Sequence, residues 1–154
     1  MATIHLHETT TATPEQFLAA LTDFGPGRSK LFSATSDGFL KVHAQGPTFA
    51  DVTEGNKSAW ERLRYDWSDP HRVVMTTIDS NLWGGASGHT YTITRNPAGM
   101  TDVDALVVRE GKNAKGRVVG VLLSTVAAGV LSKALANTVK AVEARAGAGS
   151  SSRT

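Results

Sequence analysis

The 154-residue chain contains no cysteine, which removes disulfide frameworks, thiolate metal sites and cysteine nucleophiles from consideration. That composition fits a reducing compartment, and a cytoplasmic location is the expectation. Charge is sparse as well: charged residues make up 19% against a typical ~25%. With 40% hydrophobic residues, the chain has material for a sizeable core and lacks the signature of disorder. Neither sign of charge dominates, since 16 Lys and Arg face 14 Asp and Glu for a formal net charge of +2. The cations are scattered and not gathered into one arm, so nucleic acid is not an expected partner. The longest apolar run, Val118–Leu131, falls short of the roughly 18 residues a membrane span needs. Met1–His5 carries no basic and apolar signal-peptide regions. No stable membrane insertion is expected. The length suits a single domain, read as 1–146, followed by a Gly/Ser tail, 147–154, expected to be flexible.

Hydrophobic periodicity organises the rest. Thr3–Thr10 alternates, with Ile4 and Leu6 opposite His5 and His7, as a half-buried strand does. In Thr13-Pro14-Glu15-Gln16, Thr13 is a helix cap, Pro14 suits the first helical position and Gln16 completes a capping box. The short helix that follows is expected to stop at Gly25-Pro26-Gly27, with one further helical turn at Arg28–Phe32. Strand-like pieces then succeed one another at Phe39–Gln45, Thr48–Glu54, Ala59–Trp67, Arg72–Ser80, His89–Arg95 and Thr101–Arg109. Turn residues separate them and no helical period intervenes, so an antiparallel meander is predicted in place of βαβ units. Over Ala114–Ala146 the period changes to three and four, which predicts one long amphipathic helix of roughly 30 residues. The fold class is therefore α+β: a curved antiparallel sheet wrapped around a long C-terminal helix, with two short helices after the first strand.

This order, with Asp51-Val52-Thr53-Glu54-Gly55, Tyr65-Asp66-Trp67-Ser68-Asp69-Pro70, Ser80-Asn81-Leu82-Trp83 and Arg109–Arg117, resembles the SRPBCC superfamily. Within it, the chain is similar to bacterial polyketide cyclase/dehydrase-like and lipid-transport-like members of the START and birch-pollen-allergen fold. The resemblance spans Ile4–Ala146. It implies a helix-grip fold whose sheet and long helix enclose a hydrophobic cavity, in which many members bind lipids, sterols or polyketides and some catalyse cyclisation or aromatisation. No catalytic residue of the superfamily transfers onto a position of this chain.

Alternation selects the residues expected to wall such a cavity: Leu40, Val42, Val52, Leu63, Tyr65, Tyr91, Val103, Ala105 and Val107 on strands, and Val119, Leu122, Leu123, Val126 and Val130 on the helix. The same stripes would also serve a solid core, and a one-residue slip in parity would invert every assignment. Gly116, Gly120, Ala127 and Gly129 are small enough to leave volume beside the helix. Trp83, His89 and Tyr91 flank Gly84–Gly88, read as a flexible loop that gates entry or as an ordinary hairpin loop. Glu61 and Arg109 share the parity of Leu63 and Val107, so an inward-facing ion pair competes with a solvated edge position.

Other chemistries have weaker signals. His5 and His7 would stand about 7 Å apart on one strand face, but no third ligand accompanies them, so no metal is expected. No cofactor is expected either: Gly25–Lys30 fails the dinucleotide fingerprint at Lys30, and Gly85–His89 fails the nucleophile-elbow pattern at His89. Lys112, Lys115 and Arg117 gather where the long helix begins, where an anion or a solvated loop would account for them. The leading functional expectation is a carrier or sensor of a small hydrophobic ligand such as a lipid, sterol or polyketide. A cyclase or aromatase using the same cavity, with His89, Tyr91, Glu61 and Arg109 as its polar residues, is the alternative. A third class, an interaction module, would use the Ala/Val-rich helix to form a weak homodimer.

Overall fold

Period-two alternation produces seven strands: β1 (Ala2–Thr10), β2 (Lys41–Gln45), β3 (Phe49–Gly55), β4 (Trp60–Asp69), β5 (Arg72–Ser80), β6 (Gly88–Arg95) and β7 (Thr101–Arg109). The computed structural model describes residues 2–32, 35–125 and 127–151, with side chains outside 123–128 and 148–151. The strands form one antiparallel sheet in the order β1-β7-β6-β5-β4-β3-β2. Consecutive strands from β2 to β7 are neighbours, as a meander requires. Only β1 is displaced in sequence, closing the far edge against β7. Direct cross-strand partners align one inward row: Val52 with Leu63, Tyr65 with Met75, Met75 with His89, His89 with Val107, and Tyr91 with Ala105. Val52, Leu63, Tyr65, Val103, Ala105 and Val107 of this row are buried, so the parity chosen from alternation is the parity of the inner face.

The first helix, α1 (Pro14–Leu21), begins with the full capping box: the Gln16 amide N–H donates to Thr13 Oγ1 at 3.1 Å, and the Thr13 amide donates to Gln16 Oε1 at 2.8 Å. The helix ends four residues earlier than the Gly25-Pro26-Gly27 signal suggests. Local side-chain bonds win there. The Thr22 hydroxyl donates to the Leu18 carbonyl, and the Asp23 carboxylate accepts from the Gly25 amide. Gly27, at φ 90°, then turns the chain into a 3-10 turn at Arg28–Lys30, where the sequence predicts one helical turn. A second such turn, Asp37–Phe39, occupies the beginning of the segment read as a strand from Phe39.

After β7 come α2 (Ala114–Thr125) and the long C-terminal helix α3 (Ala127–Ser151), on either side of residue 126. Leu135, Val139 and Val142 of α3, at spacings of four and three, join Phe17 of α1 and Ile93 and Val103 of the sheet in one core. Burial of such side chains contributes about 1.5–3 kcal/mol each. Polar links fix the helix in place. Thr138 donates to the Leu31 carbonyl at 2.7 Å, Thr10 to Glu143 at 3.1 Å, and Arg145 pairs with Asp23 at 2.7 Å. The helical backbone continues through Gly147 to Ser151, where composition suggests a flexible tail. Each added residue of an established helix gains a backbone hydrogen bond, so the helix outlasts its packing. Residues 152–154 of that tail lie outside the described residues. No helix among the described residues is long and apolar enough to cross a membrane.

Candidate functional site

Inward-facing residues at one end of β3–β7 surround a cavity of about 240 Å³. Tyr65, Met75, His89, Tyr91 and Arg109 come from the strands, and Glu54 and Glu61 from the paired ends of β3 and β4. Arg28 and Phe32 reach over from the segment after α1, while Trp83 closes the side next to the β5–β6 connection. Two polar clusters stand in this wall, and Thr35 and Asn56 add polar side chains to it.

The first cluster is a buried triad. Arg28 Nε donates to Glu54 Oε1, the Tyr65 hydroxyl donates to Glu54 Oε2, and Arg28 Nη2 donates to the Tyr65 oxygen at 3.0 Å. Arg28 Nη1 caps the Asp23 carbonyl at 2.6 Å, and the guanidinium lies 4.6 Å from the ring centres of both Phe24 and Phe32. Burial alone would lower the Arg28 pKa, but the Tyr65 oxygen and the Glu54 carboxylate outweigh it and raise the pKa above its ordinary value. Burial, reinforced by the Glu54 charge, pushes the Tyr65 phenol well above its usual range.

The second cluster joins β4, β6 and β7. Arg109 Nη1 donates to Glu61 Oε1, and the guanidinium sits 5.2 Å from the Trp83 ring centre. His89 Nε2 is 2.8 Å from Arg109 Nη2 and 3.6 Å from Glu61 Oε2. The shorter contact assigns the tautomer. Arginine has donors only, so a neutral ring accepts at Nε2 and carries its proton on Nδ1, whereas a protonated ring has N–H on both nitrogens and offers Nε2–H to Glu61. Burial raises the Glu61 pKa, yet the His89 and Arg109 neighbours more than offset this and hold the carboxyl below its ordinary value of 4.5. A depressed carboxyl pKa stabilises the fold above the unfolded value, and that contribution is lost as pH falls through the folded one. Urea titrations from pH 7 to pH 3 should therefore show stability falling below about pH 4.5, with a shallower fall in Glu61→Gln. Parallel profiles would contradict this coupling.

Tyr91 differs from both clusters. Its ring packs on Phe17 at 6.5 Å, and its hydroxyl makes no hydrogen bond among the described residues. Burial pushes its pKa up to about 12, so the group is a protonated phenol at neutral pH.

The structure thus brings Glu61, Tyr65, Trp83, His89, Tyr91 and Arg109 to one cavity. Leu63, Val52, Val103 and Ala105 lie in the solid core, Leu40 packs at its margin, and Val107 is buried beside it. Val42 is 40% exposed because β2 is the sheet's outer strand. On α2, Val119 is half-buried and Leu122 is 55% exposed; Val130 of α3 is 65% exposed. None of these three lines the cavity. Apolar residues at 118, 119, 121 and 122 extend around more of the helix than a single buried stripe covers. The side chain of Leu123 and all of Val126 lie outside the described residues, as does the Ala127 side chain.

One other expectation needs correction. Gly116 does not leave space: a Cβ there would stand 2.1 Å from the Leu82 carbonyl oxygen, so the absent side chain permits close backbone contact. Of the two readings of Gly84–Gly88, the hydrogen bonds fit the ordinary hairpin loop and not the flexible gate. The Ala86 amide donates to Glu110 Oε2 at 2.9 Å, and the buried Ser87 hydroxyl donates to the Gly84 carbonyl at 2.7 Å. His7 pairs with Asp104 on the outer face, and no three His, Asp or Glu residues cluster as metal ligands would among the described residues. Lys112 lies 3.6 Å from Asp79 at the surface.

No family model and no curated protein matches the sequence. Solved structures do match its fold. A protein of Thermus thermophilus superposes with a TM-score of 0.72 at 15% identity, covering 97% of this chain and 99% of that one. The Zhui aromatase/cyclase of Streptomyces sp. R1128 gives 0.70 at 13% identity, with coverage of 94% and 95%. A START superfamily protein of Mycobacterium smegmatis gives 0.62 at 14% identity, covering 93% and 95%. The chain therefore has the helix-grip fold of START-like, SRPBCC-type proteins, a fold compatible with many activities.

Proposed function

We propose that this chain is a carrier or sensor that encloses a small hydrophobic ligand in the cavity bordered by Phe32, Met75, Trp83 and Tyr91. The single observation behind this reading is a cavity in which polar side chains converge beside Phe32, Ala59, Met75 and Trp83, the pairing of apolar surface with placed polar groups usual in a small-molecule site. Its volume, about 240 Å³, lies between the roughly 150 Å³ that encloses benzene and the roughly 300–1,000 Å³ of drug-sized sites. That range favours a compound of one or two rings over a sterol or a long acyl chain. Native mass spectrometry after mild purification should reveal a co-purified small molecule, or binding of added naphthalene derivatives. If neither occurs, the reading is wrong.

A second reading is supported by a specific observation: His89, Tyr91, Glu61 and Arg109 border the same cavity. A cyclase- or aromatase-type enzyme needs such proton-handling groups around a folded reactive chain. The similar fold of the Streptomyces aromatase/cyclase makes this the enzyme class to assay. Turnover of a poly-ketone substrate by the wild type and its loss in His89→Phe would favour it over simple carriage; no turnover would remove it.

A further inference from the structure

Resting on the binding reading above, we propose that the cavity selects an uncharged ligand carrying a ketone-like hydrogen-bond acceptor, and that Tyr91 is the residue that recognises this acceptor.

The argument begins with charge. The four charged side chains bordering the cavity are already two pairs, Arg28 with Glu54 and Arg109 with Glu61. Their sum is zero, so an entering anion would remain uncompensated in an apolar enclosure, where isolated charge is strongly disfavoured. Neither arginine presents a free fork. Arg28 is engaged through Nε, Nη1 and Nη2 and bounded by Phe24 and Phe32. Both terminal nitrogens of Arg109 are committed, to Glu61 and His89, while Trp83 lies against its guanidinium. A ligand carboxylate could gain bidentate contact only by displacing a buried glutamate.

Beside Thr35 and Asn56, which also border the cavity, hydrogen-bonding capacity outside the ion pairs lies on β6. The Tyr65 hydroxyl is used by Glu54 and Arg28, whereas the Tyr91 hydroxyl makes no hydrogen bond among the described residues. It retains its proton, since burial holds its pKa at about 12. Two residues away on the same strand face, His89 offers Nδ1–H, because its Nε2 is the acceptor of the Arg109 bond. Their backbone positions are about 7 Å apart along the strand. A neutral oxygen acceptor matches them, and a purely apolar ligand would leave both unmet.

Equilibrium dialysis of the full chain at pH 7 against 2-acetylnaphthalene, 2-naphthoate and 2-ethylnaphthalene tests the proposal. The ketone should bind at least about tenfold tighter than the carboxylate and about fivefold tighter than the ethyl compound. In Tyr91→Phe the ratio of ketone to ethyl affinity should fall to about one. A carboxylate that binds as well as the ketone, or a ketone preference that survives Tyr91→Phe, overturns the proposal. Should that variant fail to fold, the wild-type ratio of ketone to carboxylate decides. Equal binding of all three probes overturns selectivity and leaves the cavity reading intact, whereas binding of none overturns both.

Discussion

Glu54→Ala should lower the unfolding free energy by about 3–5 kcal/mol, because removing one partner of a buried ion pair leaves the other charge uncompensated. The side chain of Arg28 is only 1% exposed, and that of Glu54 8%. The alanine also takes away the acceptor for the Tyr65 hydroxyl, leaving a second buried polar group to find a partner. Urea unfolding followed by far-UV circular dichroism measures the loss. Replacing both charges, as Arg28→Met with Glu54→Leu, should recover most of it, since a well-packed apolar pair is often no less stable than the ion pair it replaces. A Glu54→Ala loss below about 1 kcal/mol would place the triad among weak surface-like pairs.

Phe17→Ala should cost a similar amount, about 3–5 kcal/mol, for a different reason. Phe17 is fully buried at the junction of α1, the sheet and α3. Truncation loses the transfer free energy of the ring and leaves a void that the rigid strands beneath cannot fill. The ring also supports Tyr91, so loss of stability should be accompanied by weaker binding of 2-acetylnaphthalene. Denaturant titration at two protein concentrations checks the stability change. A change under about 1 kcal/mol would show that α1 collapses onto the sheet after truncation.

Much of this architecture can be read from the chain because its signals are local. The bounds of β5 and β7 follow from alternation and flanking turn residues, and Thr13 with Gln16 announces the start of α1. Strand parity puts Glu61 and Arg109 on one face but leaves a solvated edge position as the alternative; the fold, which brings together residues 48 positions apart, decides for the ion pair. Glu54 shares the parity of Val52 and is accessible by the same reasoning. Arg28 is not, since it enters the cavity from a turn with no period to extrapolate. The helix lining is illegible for another physical reason. Leu135, Val139 and Val142 follow the three-and-four period and are buried, but Leu122 and Val130 share that period and are exposed, so only tertiary packing decides how far along the helix the stripe is covered.

The outer strand β2 has a consequence for how copies of the chain meet. All five of its residues are exposed, and its pairing to β3 slips between Val42 and Ala44, leaving His43 as an extra residue bonded to Thr53 at 2.7 Å. An unpaired strand edge is a template onto which another chain can add. Here the ladder is short, interrupted by a bulge and bordered by Lys41, so a foreign strand could match its spacing over only two or three residues before losing register. The opposite edge, β1, is flanked by the helices α2 and α3. One boundary of the sheet is thus irregular and the other shielded, which makes growth of the sheet by edge-to-edge addition unfavourable.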